Sequence, residues 1–173
     1  EDLIADLNIQ LSPKSLQNED NAFVIRTYTL LIGALLSHRS INVSNEDSES
    51  IKNFRNTFAD LLIEELLSSD LKKASLGLEG LKRFLFARKN RELFIIKGGV
   101  KLLIKHLQDA NKLTQNDTTY HILFCIWALT YSPEGSNQLS TNDFVSILGR
   151  MLSVQSVKSE TEIIIRLMVA III

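Results

Sequence analysis

Residues 84–107 read FLFARKNRELFIIKGGVKLLIKHL, and their pattern decides the fold class. Phe84 and Leu85 close one apolar helical run near Ala87. A charged break follows at Arg88–Asn90. A second short run covers Arg91–Ile96, and Gly98-Gly99 makes a corner before Val100, Leu103, Ile104 and Leu107 return at helical spacing. Glycine suits that corner, because a tight turn between two close helices favours a residue free to take positive φ. The stretch therefore predicts a helix ending, a short helix, a glycine corner and a second long helix.

Working outward, the same spacing recurs. Residues 22–37 carry Phe23, Tyr28, Leu31 and Leu35 on a helix that is apolar nearly all round. Residues 51–67 show a stripe of Phe54, Phe58, Leu61, Leu62 and Leu66, and 72–87 show Leu78, Leu81 and Leu85. Residues 99–107 and 118–131 give two more helices, the second carrying Tyr120, Phe124, Trp127 and Tyr131. A further helix holds Phe144, Ile147, Leu148 and Met151, with Thr141 or Asn142 as its predicted cap. Residues 39–50 and 109–118 are polar, lack apolar periodicity and are expected to be loops. No alternating strand pattern appears between these segments, so the chain is predicted to be all-α.

A shift of 44 positions lays the later half over the middle. Leu78 falls on Ile122, Leu81 on Cys125, Leu85 on Leu129 and Ile95 on Leu139. Val100, Leu103, Ile104 and Leu107 fall on Phe144, Ile147, Leu148 and Met151. A less regular copy places Phe54, Phe58 and Leu61 46 residues before Val100, Ile104 and Leu107. A period in the forties with two or three helices is that of armadillo and HEAT arrays, in which no unit buries its apolar face alone and neighbours share one core. The expectation is one armadillo/HEAT-like helical-repeat domain, an α-α solenoid over 1–173.

The last hundred residues resemble the H subunit of the vacuolar-type proton-pumping ATPase (V-ATPase). Thr119–Pro133, TYHILFCIWALTYSP, is similar to that family's aromatic helix with its Ile-Trp-Leu-Leu core and Phe-Ser-Pro ending. Asn90-Arg91-Glu92 and Gly98-Gly99-Val100 resemble the family's Asn-Glu-Tyr-Arg stretch and the Asp-Gly-Val that opens its next helix. Ser156-Val157-Lys158 and Ile163-Ile164 sit in matching places of a later segment, whereas Glu160, Glu162 and Ile165 depart from its more usual basic or small residues. The resemblance covers 78–170 well, and 22–68 only in the order of helices.

The resemblance implies a non-catalytic regulatory subunit. The family's armadillo-like N-terminal domain binds the peripheral stalk that holds the ATP-hydrolysing catalytic sector. A separate C-terminal domain helps couple the sectors and silences hydrolysis when they part. This chain would cover the later part of the N-terminal domain, so silencing is not expected of these residues. Such a subunit would sit on the cytosolic face of vacuolar membranes and touch the membrane only through the complex.

The chemistry legible in the residues agrees with a docking protein. The 173 residues carry 19 basic and 20 acidic side chains, with 45% hydrophobic content, which excludes a disordered chain. One cysteine, Cys125, leaves no disulfide framework and no Cys-cluster zinc site. His38, His106 and His121 lack the paired spacing of a helical metal site. Gly98-Gly99 is not followed by Gly-Lys-Ser/Thr, so no nucleotide loop is expected. No nucleophile is paired with a base, and the expectation is no catalytic residue, no cofactor and no metal. Cys125 among Phe124, Ile126 and Trp127 is expected to be a structural thiol, and the stripe of Phe124, Trp127 and Tyr131 to be core. The triplets Asn42-Val43-Ser44 and Asn116-Asp117-Thr118 fit the glycosylation pattern but come without a secretion signal. The chain opens on Glu1 and ends on Ile171-Ile172-Ile173 without a helix cap, which reads as part of a longer protein.

Charge is unevenly placed. Residues 1–71 carry −7, residues 72–112 carry +8 and residues 113–173 carry −2. Lys82, Arg83, Arg88, Lys89 and Arg91 cluster at a helix end and the following corner, and they are the candidate partner-binding residues for an acidic surface. Cations also favour a helix C-terminus, which accounts for part of the cluster. Nucleic acid is not expected as the ligand, given the pI of 6.4 and no aromatics interleaved with the basic residues. The alternative function is a generic armadillo adaptor for an extended peptide or acidic protein. Import-type adaptors repeat Trp and Asn on their third helices, and the one Trp here is expected in the core.

Overall fold

The computed structural model describes residues 49–68, 71–112, 116–141, 143–153, 168–170 and 172. The expected helix over 22–37, most of the acidic loop at 39–50, and His38 lie outside these. Among the described residues there is no strand, and the ordered elements are α1 (Glu49–Leu67), α2 (Leu71–Phe84), α3 (Arg88–Ile96), α4 (Gly99–Lys112), α5 (Asn116–Thr130), α6 (Pro133–Thr141) and α7 (Phe144–Ser153). The chain is all-α, and its helices follow the long, short, long order of a helical repeat twice: α2, α3, α4 and then α5, α6, α7.

The chain divides into two compact units, Glu1–Asn90 and Arg91–Ile173. In the first, α1 and α2 form a helical hairpin. The stripe read from the sequence is its core, since Phe54, Phe58, Leu61, Leu62 and Leu66 of α1 are all buried, as are Leu78, Leu81 and Phe84 of α2. Phe58 joins the two helices. Its ring stacks 5.9 Å from Phe54 and meets Phe84 at 5.5 Å with a 60° tilt. Gly77 lets the helices approach, because a Cβ there would lie 2.9 Å from Glu65 Cβ.

In the second unit, α4 packs on α5, and α6 and α7 pack on their sequence neighbours and on α4. Val100, Leu103, Ile104 and Leu107 of α4 are buried, and so are their repeat counterparts Phe144, Ile147, Leu148 and Met151 of α7. On α5, Ile122, Cys125 and Leu129 are buried where the 44-residue shift placed them opposite Leu78, Leu81 and Leu85. Each of these positions faces a core, which is why apolar residues keep register there. The short helices α3 and α6 instead begin and end 45 residues apart. Helix ends drift by a residue more readily than buried stripes do.

Several boundaries differ from the sequence reading. The segment 109–118 is largely helical: α4 runs on to Lys112 and α5 begins at Asn116. Its polar residues include no Gly or Pro to stop a helix, so lack of apolar periodicity alone does not mark coil. Glu49 and Ser50 likewise belong to α1, not to a loop. The short helix starts at Arg88 rather than Arg91, and the helix before it ends at Phe84 rather than Ala87. Thr141 does not cap α7. It is the last residue of α6, and its hydroxyl donates back to the carbonyls of Asn137 and Gln138 at 3.1 Å each. Asn142 lies outside the described residues, and Asp143 precedes α7 directly.

Candidate functional site

The basic cluster begins at the end of α2. Lys82 and Arg83 occupy its last turn, where cations complement the helix dipole. Lys82 Nζ lies 2.7 Å from Glu79 Oε2, and Arg83 Nη2 lies 3.8 Å from Glu79 Oε1. With its side chain 17% exposed, Lys82 is largely absorbed into the helix surface, whereas Arg83 is 55% exposed.

The turn to α3 is built by one side chain. Asn90 is 1% exposed, and its Nδ2 donates to the Phe84 carbonyl at 2.8 Å. That carbonyl would accept from residue 88 if α2 continued. The asparagine occupies it, which ends α2 while leaving no orphan acceptor there. Asn90 N–H also donates to Ala87 O at 3.1 Å and starts α3. Arg88 and Lys89 are therefore fixed in the first turn of α3, both exposed, and Arg91 follows them half-buried. The unit boundary falls between Asn90 and Arg91, so four of the five candidates belong to the first unit and Arg91 opens the second. No acidic residue lies in the first turn of α3. Three cations at the positive end of a helix oppose the dipole, the reverse of the arrangement at the end of α2.

The second repeat builds its corner with different residues. Ser136 Oγ donates to the Thr130 carbonyl at 3.0 Å, again across six residues, and Ser132 N–H takes the Leu129 carbonyl that Pro133 cannot reach. Pro133 opens α6, where a missing N–H costs nothing. Gly135 is required by proximity, since a Cβ there would press on the Leu129 carbonyl oxygen. The other corner of each repeat uses a left-handed residue, Gly98 at φ 82° and Asp143 at φ 56°. The glycine corner is as the sequence predicts. Gly98 closes α3 by donating to Ile95 O at 3.0 Å, while Gly99 leaves room for the Phe94 ring.

The aromatic stripe of α5 is not core. Phe124 and Trp127 are only half-buried and Tyr131 is 64% exposed. Buried contacts on α5 are made instead by Thr119, Ile122, Leu123, Cys125, Ile126, Ala128 and Leu129, which form the opposite side. The sequence alone does not separate the two sides, because α5 is apolar nearly all round. Cys125 is buried, as expected of a structural thiol. Among the described residues no three His, Cys, Asp or Glu side chains gather as a metal site, and no helix is long and apolar enough to cross a membrane.

These features define a helical-repeat protein whose distinctive groups lie at the repeat corners and along one half-buried helix face. Among protein families, that of the V-ATPase H subunit, through the model of its N-terminal part, matches residues 7–173, and the chain belongs to that family. No curated relative and no solved structure matches the chain.

Proposed function

We propose that this chain is the docking part of a non-catalytic, regulatory H subunit of the V-type proton-translocating ATPase, and that it binds the pump's peripheral stalk. The family supplies the complex. The mechanism is burial of a helical corner against the stalk's elongated helices, with charge setting register and encounter rate. Bound there, the subunit helps couple ATP hydrolysis in the catalytic sector to proton transport, and it reaches the membrane only through the complex, on the cytosolic side.

The observation that carries the choice of contact residues is the placement of Arg88, Lys89 and Arg91 in the first turn of α3. The helix dipole explains Lys82 and Arg83 but works against these three, so an acidic partner gives them a reason to be there. Reversing all three to glutamate tests this. Stalk binding is expected to fall by at least about tenfold with helix content unchanged, because several screened charge contacts are lost together. Unchanged affinity removes these residues from the interface.

A further inference from the structure

One stripe runs along α5 through Asp117, Tyr120, Phe124 and Trp127, at intervals of three and four residues, so these four share one helix face, and Tyr131 continues the line in the turn just after the helix. None of them is buried: Asp117 and Tyr131 are exposed and the three between are half-buried. The rings touch in sequence, Phe124 to Trp127 at 5.5 Å and Trp127 to Tyr131 at 5.3 Å, both edge to face. Just beyond, exposed Glu134 is held at the corner by the Ser132 hydroxyl, which donates to its Oε2 at 3.1 Å.

Packing of the repeat does not demand these aromatics. Forty-four residues earlier the equivalent positions are Leu76, Gly80, Arg83 and Ala87. Within this stretch of sequence the charge is one-sided as well. From residue 113 to residue 149 there is no Lys or Arg, while Asp117, Glu134 and Asp143 are all exposed.

We infer that this face of α5 is a docking track for a basic polypeptide segment, whose Arg or Lys side chains stack on the Trp127 and Tyr131 rings between the carboxylates of Asp117 and Glu134. Cations over aromatic faces gain from the ring quadrupole, Trp most of all, and flanking carboxylates add to the field. The rings brace one another, so little side-chain freedom is lost on binding. The stripe spans about 21 Å at the helical rise, which an extended segment of about six residues matches. This track takes a basic partner, whereas the α3 corner takes an acidic one, so the two stand or fall separately.

The test is titration of the full chain with an eight-residue arginine-rich peptide, read by tryptophan emission. The difference spectrum against the Trp127→Phe variant isolates this indole. A saturable change is expected with the basic peptide and none with a glutamate-rich peptide of equal length. Tyr131→Ala, at an exposed position that does not endanger folding, should weaken the basic peptide about tenfold. No emission change, an equal response to the acidic peptide, or full affinity in Tyr131→Ala would each overturn the inference.

Discussion

Asn90 Nδ2 donates to the backbone oxygen of Phe84 at 2.8 Å, six residues back across the corner between α2 and α3. In the next repeat Ser136 Oγ donates to Thr130 O at 3.0 Å across the same interval. In both corners a side chain from the short helix takes the last carbonyl of the long helix before it. This is how a chain with few glycines and prolines ends a helix and restarts it within a few residues. It also places Arg88 and Lys89 on the outside of the turn.

Asn90→Ala should therefore destabilise more than Ser136→Ala. Asn90 is buried, so its loss orphans the Phe84 carbonyl away from water, at about 1–3 kcal/mol. The Ser136 bond is only part-buried, and its loss is expected to cost about 0.5–1.5 kcal/mol. Urea denaturation followed by helical circular dichroism reads both. Equal effects would mean that water replaces the asparagine.

The glycines divide by surroundings. Gly135→Ala drives a methyl group into the Leu129 carbonyl, which backbone cannot easily yield, and should cost about 1–3 kcal/mol as an overpacked site. Gly149 sits within α7 with nothing near its missing Cβ, so Gly149→Ala should stabilise by about 0.5–1 kcal/mol through helix propensity. Melting temperatures moving in opposite directions for the two variants would bear this out. Gly98→Ala meets no atoms, but its φ of 82° should still make it destabilising by about 1 kcal/mol.

Phe58 holds the first hairpin together through its contacts with Phe54 and Phe84. Truncation to alanine removes a 1% exposed ring and should cost about 3–5 kcal/mol. Glu79→Gln is the contrasting case. It releases Lys82 and Arg83 from a surface pair, and stability should change by no more than about 1 kcal/mol, less at high salt. A larger loss in Glu79→Gln would show that the pair is structural and that Lys82 is not available to a partner.

The fold was legible wherever an apolar stripe met a core. Val100, Leu103, Ile104 and Leu107, with their counterparts in α7, are buried as their spacing requires. The reading failed where the signal was carried by single polar atoms or by direction. Nothing in the residue pattern distinguishes Asn90, which ends a helix, from the polar residues of 109–112, which continue one. The aromatic ladder along α5 was hidden for a related reason. A helix apolar on all sides has no polar face to mark the outside, so Trp127 and Tyr131 look like core until the opposite side is seen to be buried. The five cations were visible as a cluster, but only the helix limits separate Lys82 and Arg83 at a favourable end from Arg88, Lys89 and Arg91 at an unfavourable one.

The central claim is that this chain works by docking within the proton pump. Affinity capture of this protein from a native lysate at moderate salt, with identification of what co-purifies, tests it most directly. Recovery of the pump's stalk and catalytic subunits, lost when Arg88, Lys89 and Arg91 are reversed to glutamate, is the predicted result. Recovery of unrelated proteins with no pump subunit would contradict it and leave only the helical-repeat fold.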